Sequence, residues 1–145
     1  MSEEVTVGAT PKWYKPVAIV ALIWNLMGLA VFVMIMMMTK ESMDAAGLTA
    51  EQQDLMNSTP KWVTAAFAVG VICGVLGSIG LIMRKRAAFL LLTFSMVGVL
   101  AQHTWIYFLS DSVKLMGVGL SPVVIIGSIA LTVLGFRGTQ KGWLR

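Results

Sequence analysis

The stretch AFAVGVICGVLGSIG, residues 66–80, contains four glycines and no charged side chain. In a soluble helix each interior glycine would destabilise the helix by about 0.8–1 kcal/mol relative to alanine. Inside a membrane, small residues instead favour helix association, because they let two backbones approach closely. One helix face carries a small residue at every fourth position, and we term it the small-residue stripe: Ala66, Gly70, Gly74 and Ser78. The stripe predicts a packing surface for a second helix, either of the same chain or of a second protomer.

The composition of the whole chain indicates a membrane protein. Of its 145 residues 57% are hydrophobic and only 12% are charged, whereas a soluble domain has about 25% charged residues. A membrane-spanning helix needs about 20 mostly apolar residues. The sequence therefore predicts an all-α membrane protein with one domain, residues 1–145, in which four transmembrane helices form a compact bundle. The predicted spans cover about residues 16–38, 62–83, 87–109 and 119–138.

The fourth span has the least certain start in the sequence, because its apolar run is short. Ser121 and Pro122 are typical of a helix N-cap and a first-turn proline. A helix that begins near Leu115 and kinks at Pro122 is the alternative. We favour a start between Val118 and Pro122 and a helix that continues past Arg137. The first span is too long for the 7–15-residue apolar core of a cleaved signal peptide, so we expect it to be retained.

Basic residues are concentrated in the connections on one side of the predicted bundle, and such connections are usually cytoplasmic. This side carries Lys12, Lys15, Arg84, Lys85, Arg86, Arg137, Lys141 and Arg145. The connections on the other side contain more acidic than basic residues. We therefore expect both termini in the cytoplasm. Attraction to anionic lipid is sufficient to explain the basic excess, so no nucleic-acid partner is expected.

The longest connection, residues 39–60, is predicted to lie outside. Thr49 is typical of an N-cap, and Glu51 follows in the first turn, where an acidic side chain suits the helix dipole. These residues predict a short external helix that lies on the membrane surface, between the first two spans, as a lid over the bundle. A flexible polar loop is the alternative.

Two polar side chains in the spans are candidates for a functional site. Asn25 lies near the middle of the first span, and Gln102 shares a face of the third span with Ser95 and Gly98. Their first interpretation is an interhelical hydrogen bond, worth about 0.6–2 kcal/mol in a membrane. The second interpretation is a polar ligand pocket between the helices.

His103 is the only histidine of the chain. An ionisable residue inside a membrane is a functional candidate by default, which suggests a proton-linked or ligand-binding role. Trp105 and Tyr107 follow it closely, however, and aromatic side chains mark the membrane interface. A structural imidazole in this interfacial belt is the alternative.

Enzyme chemistry has no recognisable pattern in this sequence. Apart from Arg137 near the end of the fourth span, the predicted spans contain no Asp, Glu, Lys or Arg, and no nucleophile elbow, phosphate loop or metalloprotease motif is present. Cys73 is the single cysteine, so an intrachain disulfide is excluded. The methionines at 34 and 36–38 suggest a Cu(I) site, but methionine is more often an apolar filler. We therefore predict no catalytic residues, no cofactor and no metal site.

Three blocks of the sequence resemble a group of small four-span bacterial inner-membrane proteins. The blocks are WYKPVAIVALIWNLMG (13–28), TPKWVTAAFAVGVICGVLGSIGLIMRKRAAFLLL (59–92) and KGWLR (141–145). The resemblance implies a multi-pass protein of the bacterial inner membrane. Some proteins of the group have a loose "sugar transporter" label, and the resemblance assigns no functional residues.

Two classes of function follow from these observations. In the first, the protein is a homo-oligomeric transporter or channel for a small polar solute, with Asn25, Gln102 and His103 along the pathway, because four helices alone enclose little space. In the second, it is a non-catalytic structural or accessory subunit of a larger membrane complex, bound through the small-residue stripe. A cavity that reaches Asn25 would favour transport, whereas a closed, dry bundle would favour the accessory role.

Overall fold

The structure is a computed structural model, and it describes residues 9–145. These residues form helices and connecting turns, with no β-strand. The π-helical turn Trp105–Leu109 continues α5. The helices are α1 (Tyr14–Met36), α2 (Lys40–Ala45), α3 (Ala50–Asn57), α4 (Lys61–Ile82), α5 (Ala87–Thr104), α6 (Ser112–Met116) and α7 (Ser121–Gln140).

Four of these elements are long and apolar enough to cross a membrane: α1, α4, α5 with its π-helical turn, and α7. They confirm the predicted all-α fold with four packed spanning helices. The π-helical turn was not predicted, because a change from four-residue to five-residue hydrogen bonding leaves no signal in the apolar pattern.

The four spanning helices surround one cleft. The central pair is α4 with α5; α1 packs against α4, and α7 packs against α5. Helices α1 and α7 make little direct contact with each other. A gap therefore separates the two outer helices. We term the end of the bundle that carries the turn 84–86 the basic end, and the end that carries α2, α3 and α6 the loop end.

A hydrophobic core closes the basic end. Its buried members come from α1, α4, α5 and the carboxyl-terminal segment: Tyr14, Ala18, Leu81, Ala88, Leu92, Trp143 and Leu144. Helix α7 contributes the partly buried Leu131 and Leu134 at the edge of this core. The Tyr14 hydroxyl donates a hydrogen bond of 2.8 Å to the Leu81 carbonyl. The Trp143 ring meets the Tyr14 ring edge to face, with 5.9 Å between centroids. The core thus joins the start of α1 to residues that follow α7.

Backbone hydrogen bonds hold the carboxyl-terminal segment against the α4–α5 turn. The Arg145 amide donates to the Arg84 carbonyl at 2.7 Å, and the Arg86 amide donates to the Arg145 carbonyl at 3.1 Å. The Arg84 guanidinium adds a bond of 2.9 Å from Nε to the Trp143 carbonyl. These bonds fix the turn and the segment to each other.

Two helices that reach the basic end stop with the same Schellman motif. After α7, Gly142 has a φ of +71°, and the Trp143 amide donates to the Gly138 carbonyl at 2.8 Å. After α4, Arg84 takes the glycine position with a φ of +58°, and the Lys85 amide donates to the Gly80 carbonyl at 2.8 Å. An arginine is uncommon in this left-handed region, and its contacts to the carboxyl-terminal segment hold it there.

Two short capped helices cover the loop end. Thr49 is the N-cap of α3 as predicted, and Gln52 completes its capping box. Gln52 Nε2 also donates to the Leu115 carbonyl at 2.9 Å, which ties α3 to α6. The sequence did not predict α2, which begins with a second capping box, formed by Thr39 and Ser42. Residues 39–60 therefore contain two helices where we expected one.

The fourth spanning helix begins at Ser121 and ends at Gln140. Its start lies within the predicted range of residues 118–122, and its end lies beyond Arg137, as predicted. Leu120, and not Ser121, precedes the first helical residue, and no side chain caps it. The kinked alternative is wrong, because α6 ends at Met116 and Gly117 follows with a φ of +75°.

Candidate ligand cleft between the outer helices

The small-residue stripe of α4 lies against α5 of the same chain. Gly70, Gly74 and Ser78 are buried, and Ala66 is half-buried. A Cβ atom added to Gly98 of α5 would lie 2.6 Å from the Ala66 carbonyl oxygen and 2.8 Å from the Gly70 nitrogen. The two backbones are therefore too close for any side chain at Gly98. An intrachain helix occupies the surface that the sequence left open to either kind of neighbour.

Asn25 of α1 is fixed by hydrogen bonds from its amide nitrogen. Its Nδ2 donates to the Ala21 carbonyl at 2.9 Å and to Ser78 Oγ at 3.1 Å. The Ser78 hydroxyl in turn donates to the Gly74 carbonyl at 2.8 Å. Because a carbonyl only accepts, this chain of bonds assigns the orientation of the Asn25 amide. Both amide hydrogens of Asn25 are therefore donated in these two bonds, and its oxygen Oδ1 accepts no hydrogen bond from them.

The Asn25 oxygen meets a second oxygen over Gly74. A Cβ atom added to Gly74 would overlap Asn25 Oδ1 and would lie 3.1 Å from Ser95 Oγ. Ser95 donates its hydroxyl hydrogen to the Gly70 carbonyl at 2.6 Å, so that its oxygen can only accept further bonds. Among the described residues Asn25 Oδ1 meets only the Cα hydrogen of Gly74, which is a weak donor. Two hydrogen-bond acceptors thus converge here without a conventional donor, and we term them the acceptor pair.

A cleft of about 290 Å³ leads to these oxygens between the outer helices. Its volume is close to the lower limit for small-molecule sites, about 300 Å³. The lining comes from all four spanning helices and includes no Asp, Glu, Lys or Arg: Trp24, Asn25, Met27, Gly28, Val31, Phe67, Gly70, Val71, Leu92, Ser95, Val99, Gln102, Leu120, Val124, Ser128 and Leu131. Leu92 also belongs to the core of the basic end, and Leu131 borders that core. The core therefore forms the inner limit of the cleft.

The structure brings Gln102 into the same cleft as Asn25. Its side-chain amide makes no hydrogen bond to any residue that the structure describes, and it is half-buried. Gln102 follows Ser95 by seven residues on α5, which corresponds to about 10 Å along the helix axis. The cleft therefore has polar groups at two levels, the acceptor pair near its inner end and Gln102 toward the loop end.

His103 is separated from these residues. Its side chain does not line the cleft, and the residue is only 7% exposed. Nδ1 lies 2.7 Å from the Val99 carbonyl oxygen, so that Nδ1 carries the hydrogen in this arrangement. The ring stacks on Tyr107 in the π-helical turn, with 6.3 Å between centroids. The geometry groups Asn25 with Gln102 and leaves His103 in a packed position beside the interfacial aromatics.

Sequence reasoning missed the groups that complete the site. Ser95 was recognised as part of a polar face, but its position beside Asn25 depends on the contact between α4 and α5. Trp143 and Leu144 close the inner end, although they lie far along the chain from the first span. The signal for them was the apolar pair itself, since two large apolar side chains directly after a basic helix end suggest docking onto the bundle.

Comparisons of the whole chain with known protein families, with curated proteins and with solved structures gave no match. The resemblance to small four-span inner-membrane proteins therefore stays a prediction. The function of the cleft has to be argued from its own geometry.

Proposed function

We propose that this protein is a membrane carrier for a small, uncharged, hydrogen-bonding solute, and that the cleft between α1 and α7 is its binding site. The observation that carries this proposal is the reach of the cleft. It extends from Leu120 at the loop end to Asn25 in the middle of α1, and it stops at the core of the basic end. A cleft that reaches the middle of the bundle and is closed on one side by a packed core is what one state of a carrier requires.

The weak contact between α1 and α7 supports movement of the outer helices. Each of them packs on one neighbour of the central pair, so that the cleft can widen or narrow without breaking the contact between α4 and α5. We expect the carrier to be a homo-oligomer, because the rest of the chain buries little of α1. A second copy of the chain would pack on the outer face of α1 and leave the gap between α1 and α7 open.

The surface of α1 favours a second candidate, an accessory subunit of a larger membrane complex. Only 6% of the most apolar window of α1 is buried within the chain, which leaves most of the helix free to contact lipid or a partner helix. In this alternative, the cleft is a packing surface for the partner, and it carries no solute.

We place the carrier in the bacterial inner membrane with both termini in the cytoplasm. The support for the orientation is that Arg84, Lys85, Arg86 and Arg145 cluster at one end of the bundle, and basic residues are retained on the cytoplasmic side. Cysteines introduced at Ser42 and Arg145, which are both exposed, test this orientation. We expect an impermeant thiol reagent added outside to modify the first and not the second, and the reverse pattern would refute it. Ser2, the matching position near the amino terminus, lies outside the described residues.

Uptake into liposomes tests the carrier proposal. The purified protein is reconstituted, and the entry of small polyols and neutral sugars is measured for the wild type, for Asn25→Leu and for Thr104→Val. Asn25→Leu removes the bonds to Ala21 and Ser78 and one of the paired oxygens with little change in size. Thr104→Val is the matched control, because Thr104 is exposed and its hydroxyl bonds only its own helix, at the Leu100 carbonyl.

We expect uptake by the wild type and by Thr104→Val, and a loss of at least tenfold in Asn25→Leu. The folded state should survive, because a hydrogen bond between membrane helices is worth about 0.6–2 kcal/mol. Uptake that is equal in all three proteins would remove Asn25 from the pathway. No uptake by the wild type would contradict the carrier and favour the accessory subunit.

A further inference from the structure

We infer that the ligand of the cleft is an uncharged amphiphile with an apolar body and a hydrogen-bond donor, a hydroxyl or an amide N–H, which enters sideways from the bilayer between α1 and α7. This inference rests on the proposed function for its site and specifies the class of molecule. It differs from the small polar solute that the sequence suggests.

The acceptor pair sets the requirement for a donor. Asn25 Nδ2 is committed to Ala21 and Ser78, and the Ser95 hydroxyl is committed to Gly70. What remains for a ligand at this point is the oxygen of each side chain. A hydroxyl or N–H group would satisfy these oxygens, whereas an ether, a ketone or a carboxylate would present a further acceptor. The acceptor pair therefore selects among molecules of equal size by their ability to donate.

The lining of the cleft excludes a charged ligand. None of its residues is acidic or basic, so that neither an ammonium nor a carboxylate would find a counter-charge. Transfer of an unpaired charge into an apolar site costs far more than a hydrogen bond returns. The ligand is therefore neutral when it is bound.

The distance between the polar levels sets the shape of the ligand. Between Ser95 and Gln102, about 10 Å along α5, most of the wall is apolar, as at Val99, Phe67 and Val124. Ser128 of α7 also lines the cleft, but it donates its hydroxyl hydrogen to its own helix, at the Ile125 carbonyl. A hydrophilic ring with hydroxyls on every side would lose most of its bonds to water there. An apolar body of this length matches the wall, and Gln102 can both donate to and accept from a second polar group at the outer end.

The rim of the cleft faces the hydrocarbon of the membrane. Met27, Val31 and Leu120 line the cleft and are also exposed on the surface of the bundle, at 59%, 45% and 68%. Because α1 and α7 make little contact, no helix separates the cleft from lipid on this side. A molecule dissolved in the bilayer reaches the acceptor pair through the gap without crossing water.

Photo-crosslinking in lipid nanodiscs tests the inference. Three probes share one ten-carbon chain with a photoreactive diazirine in the middle, and they end in a hydroxyl, a methyl ether or a carboxylate. Labelled peptides are identified by mass spectrometry for the wild type, Asn25→Leu, Ser95→Ala and the control Thr104→Val. Thermal unfolding of each variant is measured first, and Ser95→Ala, the smaller change, carries the test where Asn25→Leu is unstable.

We expect the alcohol to label cleft peptides of α1, α5 and α7 about fivefold more than the ether, as the loss of one hydrogen bond predicts. The carboxylate should give no labelling above background. Asn25→Leu and Ser95→Ala should reduce labelling by the alcohol to that of the ether, and Thr104→Val should leave it unchanged. Equal labelling by the alcohol and the ether would overturn the inference, and so would labelling by the alcohol that neither Asn25→Leu nor Ser95→Ala reduces.

Two further results separate this inference from the carrier proposal. Uptake of hydrophilic polyols without selective labelling by the alcohol would retain the carrier and overturn the amphiphile. Selective labelling without uptake of any solute would support the amphiphile and overturn the carrier. Unlabelled 1-decanol and a monoacylglycerol, added separately as competitors, distinguish a dissolved alcohol from a membrane lipid as the source, and competition by neither would contradict the proposed ligand class.

Discussion

The basic end and the loop end of the bundle contain the same four spanning helices, yet they are held together by different forces. At the basic end, backbone hydrogen bonds join Arg84 and Arg86 to Arg145, and large side chains fill the space between the helices. At the loop end, short helices are connected mainly by side chains, such as Gln52 to Leu115, and a cleft remains between the outer helices. The comparison teaches that α1 and α7 are joined to each other at the basic end and are separated by the cleft toward the loop end, where each still packs on its own neighbour. This is the arrangement in which a cleft can change its width.

The largest effect is expected where the cleft meets the central pair. Gly74→Leu places a branched side chain where a Cβ atom alone would overlap Asn25 and approach Ser95. We expect a loss of about 3 kcal/mol of stability, measured as a lower thermal unfolding temperature. The change should also displace Asn25 from its position in the cleft. Gly127→Leu on α7 is the matched control, because nothing lies within 4 Å of a Cβ atom there. Equal effects of the two changes would show that the helices do not meet at Gly74.

A smaller effect is expected from the core that closes the basic end. Leu144 has 0% exposure, so Leu144→Ala leaves a cavity under the carboxyl-terminal segment and should reduce stability by about 2 kcal/mol or more. Leu120→Ala at the loop end is the control, since Leu120 is 68% exposed. Thermal unfolding in detergent compares the two. If both variants unfolded at the temperature of the wild type, the basic end would not be the end at which α1 and α7 are joined.

The smallest effect is expected at the surface of the loop end. Asp44 Oδ1 accepts a bond of 2.7 Å from Gln53 Nε2, and this bond, followed by that from Lys40, holds the pKa of Asp44 below its ordinary value of 3.8. The folded state thus favours the ionised form of Asp44. The contribution of this carboxylate to stability is complete above its ordinary pKa, and it is lost as the pH falls through the lowered pKa of the folded state. We expect the protection of α2 and α3 against hydrogen exchange, corrected for the intrinsic pH dependence of amide exchange, to fall below about pH 4, with the spanning helices unaffected.

An Asp44→Asn variant controls for other acid effects. Its amide oxygen can still accept from Gln53, and it does not titrate. The corrected protection of α2 and α3 should then be independent of pH over the same range. An acid response of equal size in both proteins would assign the change to another group.

The sequence predicts the membrane fold well because a span is a local property. About 20 apolar residues identify each helix, and Thr49 identifies the start of α3 because the cap and its partner Gln52 lie within one turn. The second capping box, at Thr39, was missed, since Ser42 replaces the usual glutamate or glutamine at its third position. Local rules thus account for most helix bounds.

The site was predicted only in part because it depends on contacts between distant segments. Periodicity places Asn25 and Gln102 on faces with small residues, and both line the cleft. Periodicity does not reveal that Asn25 donates its amide hydrogens to Ser78 and to the Ala21 carbonyl. It also does not reveal that Ser95 and Asn25 meet at Gly74. These facts follow from the packing of three helices, and the donor preference of the cleft follows from them.

The pairing of Arg145 with the α4–α5 turn has a consequence for biosynthesis. The partners of the Arg84 carbonyl and the Arg86 amide come after α7, so that the turn stays unpaired while the four spans are being synthesised and inserted. The outer helices α1 and α7 are joined at the basic end only when residues 143–145 have left the ribosome. The contacts that close the basic end can therefore form only after all four spans have been synthesised, and a chain truncated before Trp143 would lack them.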